Sequence, residues 1–176
     1  MLNRKSAIKF MCLVIPGLLL FLAPANAYAD SGPRPFFAVS SGNANPVPTS
    51  DPCILTNTEA GPGYAMGLGL MTWESEEVVD FCADEDPNTA AVEGQLVLTA
   101  ANGDEIFGVY HTLATVNPDL ALITFAGTYD FTGGSGRFEN VTGTGTLAGQ
   151  GSLLPPFEAS AALAGTLTPA RPRPRP

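Results

Sequence analysis

The sequence has little positive charge. Eight Lys and Arg residues stand against 17 Asp and Glu residues, so the formal net charge is −9. No lysine follows Lys9, and Arg137 is the only Lys or Arg between Pro46 and Pro169. Phosphate affinity depends on clustered Lys and Arg, so this part of the chain is not expected to bind nucleic acid or anionic lipid. We expect an acidic protein whose partners are cations or neutral, apolar molecules.

The sequence also lacks the signatures of several large enzyme classes. It contains no nucleophile elbow, phosphate-binding loop, paired zinc ligands or dinucleotide fingerprint. Beyond Cys53 no stretch shows sustained apolar spacing of 3.6 residues, which argues against a helical domain. We therefore assign no catalytic residue, no metal and no cofactor from the sequence.

Residues 1–29 have the pattern of a secretory signal peptide. Three basic residues precede an apolar run over 10–23, and small residues then allow cleavage after Ala27 or Ala29. A transmembrane anchor is the alternative, but a span needs about 20 apolar residues and this run is shorter. We predict a secreted protein, periplasmic or extracellular, with no membrane span after cleavage.

Two cysteines, Cys53 and Cys82, follow this segment. In an exported protein such a pair most simply forms a disulfide, and two free thiols are the alternative. The bond would stabilise the fold by roughly 3–4 kcal/mol in the chain-entropy model.

The remaining chain divides into three parts by composition. Residues 30–52 are rich in Pro, Ser and Asn and predict a flexible leader, with one edge strand at most near Phe36–Val39. Residues 53–169 carry short apolar or alternating runs between turn residues, as in an all-β sandwich or barrel. Residues 170–176 alternate Arg and Pro and predict an extended tail. Strands are expected at 64–72, 92–101, 104–113, 120–131, 137–149 and 158–168.

The dipeptide Asn102-Gly103 favours a two-residue type I′ hairpin turn. The register that follows from such a turn puts Phe107 and His111 on one face of the strand pair and Tyr110 on the other. Glycines also recur inside later strand-like runs, at positions 143, 145, 149 and 165, which predicts bends or close packing in a closed barrel.

Two runs carry a family resemblance: TAANGDEIFG at 99–108 and GTYDFTGGSGRF at 127–138, followed by TGTGT at 142–146. They resemble a group of small exported bacterial proteins related to the allene oxide cyclase and dirigent barrels, over about residues 60–168. The resemblance implies a single antiparallel barrel of about eight strands, calycin-like, with a mostly apolar interior. In the plant relatives that interior guides cyclisation of an unstable epoxide or coupling of phenoxy radicals. None of their catalytic residues matches a position here.

Arg137 has two interpretations. It could anchor an anionic ligand group in the barrel mouth, or it could form an ion pair with Glu139 or Asp130 that fixes the glycine turn. Because carboxylates greatly outnumber it, the structural role is favoured.

Three residues of the central hairpin complete the candidate pocket with Arg137. His111 is the only histidine, and it is either a general base or a hydrogen-bonded core residue, of which the second is favoured. Tyr110 and Phe107 flank it in the hairpin.

The acidic residues between 74 and 86 have two interpretations as well. They could bind Ca²⁺, which takes six to eight oxygen ligands, but the spacing of an EF-hand loop is missing. A solvated acidic loop tied back by Cys82 is favoured.

Three functions are open at this stage. The first is a non-catalytic secreted barrel that binds a small apolar molecule or has a surface or matrix role. The second is a cyclase- or dirigent-like enzyme, in which pocket shape steers a reactive apolar substrate. The third is an adhesive protein acting through its Pro-rich ends.

Overall fold

Eight antiparallel strands follow one another and close into a barrel, in which β8 pairs with β1. The computed structural model describes residues 32–169, so the predicted signal peptide and the Arg-Pro tail lie outside the described residues. The strands are β1 (Arg34–Pro48), β2 (Ile54–Ala65), β3 (Gly69–Asp80), β4 (Thr89–Ala100), β5 (Glu105–Asn117), β6 (Leu122–Gly134), β7 (Thr142–Ser152) and β8 (Glu158–Thr168). The predicted all-β antiparallel barrel is confirmed.

The period-two pattern of the strands explains the barrel. In β4, Val92, Leu96 and Leu98 are buried, whereas Glu93 and Gln95 between them are exposed. Side chains of a strand alternate between its two faces, so each strand places one row inside the barrel and the other in solvent. Closure leaves no unpaired edge in the sheet.

The predicted flexible leader is wrong for its central part. Residues Arg34–Pro48 form β1, which is hydrogen-bonded to β2 on one side and β8 on the other. Phe36 and Ala38 are fully part of the core. The sequence indicated at most an edge strand near Phe36–Val39, because the other inward positions of β1 are small or polar and no apolar alternation extends beyond Val39.

Two further strand predictions need correction. The run 64–72, predicted as one strand, contains the end of β2, the turn at 66–68 and the start of β3, and Gly67 and Gly69 at this turn have φ of +86° and +79°. The strand predicted from Arg137 begins only at Thr142, because a short 3₁₀ turn, Gly136–Phe138, precedes it. The acidic stretch is also only partly a loop, since its first half belongs to β3.

The central hairpin has a different register from the predicted one. Ala100 and Asp104 enclose a three-residue loop. The Ala100 N–H donates to the Asp104 carbonyl oxygen at 2.9 Å, and the Gly103 N–H donates to the Ala100 carbonyl oxygen at 2.9 Å. Gly103 has φ +84°, as in the type I turn with a glycine bulge that closes three-residue hairpin loops. The extra loop residue shifts the pairing by one, and a shift of one exchanges the two faces. Leu98 therefore pairs with Ile106 rather than Phe107.

Glycines make room for the aromatic rings inside the barrel. Tyr129 pairs with Gly145, and a Cβ at Gly145 or at Gly165 would lie 2.8 Å from the Tyr129 hydroxyl oxygen. Tyr110 pairs with Gly94, where an added Cβ would lie 2.3 Å from the ring. The recurring glycines thus serve close packing, as their positions in the sequence indicated.

The two ends of the barrel differ. At one end, which we call the closed end, Leu68, Phe138 and Val141 are buried across the barrel mouth. The opposite end, the open end, carries the loops at 49–53, 81–88, 118–121 and 153–157. Cys53 and Cys82 join two of these loops in a disulfide, with a Cα–Cα distance of 5.4 Å, which confirms the predicted pairing.

Candidate functional site

A cavity of about 220 Å³ opens at the open end and extends into the barrel. Its walls are mainly aliphatic and aromatic, and they are contributed by all eight strands and by the loops at 81–88 and 153–157. The lining includes Leu55, Val79, Phe81, Val92, Ala114, Ile123, Phe125, Leu153, Phe157 and Ala159. The shape and lining are typical of small-molecule sites, which are concave and mostly apolar with a few polar groups.

Three polar side chains form the floor of this cavity: Asn57 and Glu59 on β2, and Glu77 on β3. They occupy inward positions two residues apart along each strand, as Leu55 and Val79 do nearer the mouth. The floor is therefore set by strand alternation, and the two carboxyl groups face an otherwise apolar space.

Glu77 is held by two hydrogen bonds. Its Oε1 accepts from the Asn57 Nδ2 at 2.7 Å, and its Oε2 accepts from the Tyr110 hydroxyl. Tyr110 is 3% exposed, and burial together with the charge of Glu77 raises the pKa of its hydroxyl. Tyr110 is thus a neutral donor that fixes Glu77 from below.

Glu59 has a strongly shifted ionisation. Burial, and next the charge of Glu77, raise the pKa of its carboxyl from 4.5 to about 7, while a hydrogen bond from Asn57 acts in the opposite direction. Both causes disfavour the charged form. Glu59 therefore exchanges its proton near neutral pH, which ordinary glutamates do not do.

Some polar atoms in the interior have no hydrogen-bond partner. Asn57 is 7% exposed and its Oδ1 is unpartnered, as is the Oγ1 of Thr112, also 7% exposed. Buried polar groups are normally satisfied, so an unpartnered oxygen in a residue that lines a cavity marks a place for a donor.

The hairpin register decides where the predicted pocket residues lie. Tyr110 points into the barrel and lies beneath the cavity floor. Phe107 and His111 belong to the outward row, and Phe107 is 37% exposed. The His111 Nδ1 lies 3.5 Å from the Glu93 Oε1, and both side chains are largely exposed. The structure does not bring these residues together.

Arg137 lies at the closed end, away from the cavity. Its Nε is 3.4 Å from the Asp104 Oδ2, and its guanidinium lies 4.7 Å from the centre of the Phe138 ring. The ion-pair interpretation is the one that this geometry favours, but the partner is Asp104 rather than Glu139 or Asp130.

His111 borders a larger depression of about 640 Å³ on the outer surface of β2 to β5. That depression is shallow and open to solvent along its length, with Thr and Glu side chains around it. The cavity at the open end is smaller but better enclosed, so it is the place where water can be excluded from a ligand.

The polar residues of the floor were missed by sequence reasoning. Around Asn57 and Glu59 the strand is polar on both rows and contains Pro62, so no alternation marks it as β structure. For Glu77 a signal existed, because Met71, Trp73 and Val79 recur in period two with it. Extending that row places Glu77 inside the barrel.

In residues 32–169 no group of three or more His, Cys, Asp or Glu side chains is arranged to hold a metal ion. Over the same residues, no helix has the length and apolarity needed to cross a membrane.

Comparison with known proteins gives no relative: no family model, curated protein or solved structure matches the chain significantly.

Proposed function

We propose that the protein binds a small, mainly apolar molecule in the cavity at the open end of the barrel. The observation that carries this proposal is the enclosed 220 Å³ space with aliphatic and aromatic walls. Apolar walls offer few hydrogen bonds to water, so an apolar occupant is favoured over solvent. An apolar protein cavity of about 150 Å³ can hold benzene, and the present one therefore suits a molecule of one ring with a short substituent.

The close packing below the cavity floor supports a dedicated binding site, because it shows that the barrel is not loosely packed throughout. Between the floor and the closed end the space is filled, with Leu96, Leu98, Tyr129 and Leu163 almost fully buried. The cavity is thus confined to one end, where small inward residues such as Ala114 and Ala159 meet the mouth.

We also propose that the chain is exported and that it is related in fold to the allene oxide cyclase and dirigent barrels. The Cys53–Cys82 disulfide supports export, because such bonds persist in oxidising compartments. The eight-stranded barrel supports the relation in fold, and fold alone assigns no activity.

A pair of substitutions on β1 tests the binding proposal. Ala44 lines the cavity and Asn45 is exposed on the outer surface, so Ala44→Phe fills the cavity and Asn45→Phe adds the same ring outside. We expect ethylbenzene to shift the amide resonances of cavity residues in the parent and in Asn45→Phe, and not in Ala44→Phe. Equal shifts in all three proteins, or none in the parent, would contradict the proposal.

Native mass spectrometry of the exported protein gives a second test. A bound apolar molecule is expected on the parent and on Asn45→Phe and is expected to be missing from Ala44→Phe. An unliganded mass for all three, combined with no ethylbenzene binding, would favour the surface or matrix role.

A second candidate is an enzyme of the cyclase kind. The observation that favours it is the Glu59 carboxyl, whose pKa of about 7 suits proton transfer at neutral pH inside an apolar pocket. Its test is cyclisation of a small unsaturated epoxide that fits the 220 Å³ cavity, in which Glu59→Gln is expected to remove the rate or the stereochemical control. Equal turnover and equal product from the parent and Glu59→Gln would exclude a catalytic role of Glu59, and no turnover by the parent would leave only the binding function.

A further inference from the structure

We infer that the ligand carries a positively charged amine on its apolar body, and that the amine contacts the carboxyl groups of Glu59 and Glu77 at the cavity floor. This inference rests on the proposed binding function and names the chemical class of its ligand. It follows from how charge is distributed between the inside and the outside of the barrel.

The cavity holds two carboxyl groups and no basic residue. All three basic residues of the described range, Arg34, His111 and Arg137, are exposed on the outside. Removing a carboxylate from water is costly unless an opposite charge or several hydrogen bonds compensate it. The protein gives two hydrogen bonds to Glu77, but Glu59 has no cation beside it. A proton neutralises Glu59 below its pKa of about 7, and above that pH a cation that enters from the mouth can compensate both carboxylates.

Asn57 adds an independent observation. It is 7% exposed, it lines the same cavity, and its Oδ1 has no partner. Its amide nitrogen is directed to Glu77, so the free carbonyl oxygen is the acceptor that remains. An ammonium group has three donors and no acceptor, which matches two carboxylates and one amide oxygen.

An organic cation fits the cavity better than a metal ion does. A Ca²⁺ ion takes six to eight oxygen ligands, and the described residues offer no third carboxylate here. The apolar walls above the floor would stay unused by a metal, whereas an amine with a hydrocarbon ring occupies both parts.

The titratable groups around Glu59 set the pH dependence. Glu77 faces it from β3 and Tyr110 from β5, while the inward residues of β1 and of β7 and β8 are not ionisable. When the pH falls below about 7, Glu59 takes up a proton and one negative charge leaves the floor. Binding of a cation is therefore expected to weaken at low pH and to release a proton near neutral pH.

The test compares benzylamine with ethylbenzene, in which a methyl group replaces the ammonium. Benzylamine stays protonated in the tested range, since alkyl ammonium groups lose their proton at about pH 10. By calorimetry we expect benzylamine to bind about tenfold tighter than ethylbenzene at pH 8, and to lose about tenfold in affinity at pH 5.5. Ethylbenzene is expected to bind equally at both pH values.

The variant Glu59→Gln is expected to remove the pH dependence of benzylamine binding, and the exposed neighbour Glu76→Gln is the matched control that retains it. Amide chemical-shift dispersion of both variants reports whether each is folded. If ethylbenzene binds as tightly as benzylamine at both pH values, the amine inference is overturned and the binding function stands. If neither compound binds, both fail together.

Discussion

The interior of this barrel has two halves that use small residues in opposite ways. Towards the closed end, glycines inside the barrel lie under large rings, as Gly143 does under Phe131 and Gly145 under Tyr129. Near the open end small residues face one another: Ala159 on β8 pairs with Gly42 on one side and Gly151 on the other. A small residue fills space when its neighbour is large and leaves a cavity when its neighbour is small. Neighbouring pairs, rather than single residues, therefore decide where the barrel is hollow.

The charge differs between the halves as well. The closed half contains aromatic and aliphatic side chains with no carboxyl group among its core residues. The open half places Glu59 and Glu77 below apolar walls. The packing of the closed half stabilises the fold. In the open half the burial of two carboxyl groups is unfavourable, and a bound ligand can compensate it. Four predictions can break or sharpen this comparison.

Removal of a ring from the closed half is expected to have the largest effect. Phe131 is 3% exposed and packs edge-on against Phe36, with ring centres 5.0 Å apart. Phe131→Ala should lower the free energy of unfolding by about 3–5 kcal/mol, measured by urea denaturation. The outward Phe107→Ala should cost less than about 1 kcal/mol. Equal costs for the two variants would contradict the register described for β5.

Removal of the disulfide is expected to cause the second-largest loss in the free energy of unfolding. Cys53 and Cys82 are 29 residues apart, and the cross-link limits the unfolded chain. The double variant with Ala at both positions should lose about 3.5 kcal/mol in the same experiment. Reduction of the parent protein should reproduce that loss and should leave the double variant unchanged. A parent protein that is insensitive to reductant would argue against the bond.

Glu59→Gln is expected to change stability with pH. The folded-state pKa of about 7 lies above the ordinary value of 4.5, so the folded state holds this proton more tightly. The contribution to stability is fully present below about pH 4.5 and is lost as the pH rises through 7. Relative to the parent, Glu59→Gln should gain about 3 kcal/mol at pH 8 and little at pH 4.5. Urea denaturation at both pH values measures this, and a gain that is the same at both would contradict the buried carboxyl.

The smallest effect is expected for His111→Ala. The pair that His111 forms with Glu93 is largely exposed, and such pairs contribute little. Stability should change by less than about 0.5 kcal/mol, and ethylbenzene binding should not change. A large loss of binding would place the ligand site on the outer surface instead of inside the barrel.

The fold was more predictable than the site, and particular residues show why. Turn residues and apolar runs after residue 90 indicate the later strands, and β8 coincides with its prediction at 158–168. Local patterns indicated only the start of β1 and did not indicate most of β2, because Ser, Asn and Gly occupy many inward positions there. Those strands are fixed by closure of the barrel, a non-local property.

The candidate site depended on a single turn. A two-residue turn at Asn102-Gly103 would place Phe107 and His111 inside, whereas the three-residue loop places Tyr110 inside. Both turns suit this dipeptide, and the choice is made by burial of Ile106 and Tyr110 in the closed barrel. Glu59 escaped notice for a related reason, since its environment includes Tyr110 on β5, a strand that is distant in sequence.

The ionisation of Glu59 tests the account most directly. With ¹³C-labelled glutamate, the side-chain carboxyl resonances can be followed by NMR as the pH is raised, and Glu59→Gln assigns the signal of interest. The account predicts one glutamate that titrates at about pH 7 and is missing in the variant. Titration of every glutamate near the ordinary value of 4.5 would contradict a water-poor acidic floor in the open half of the barrel.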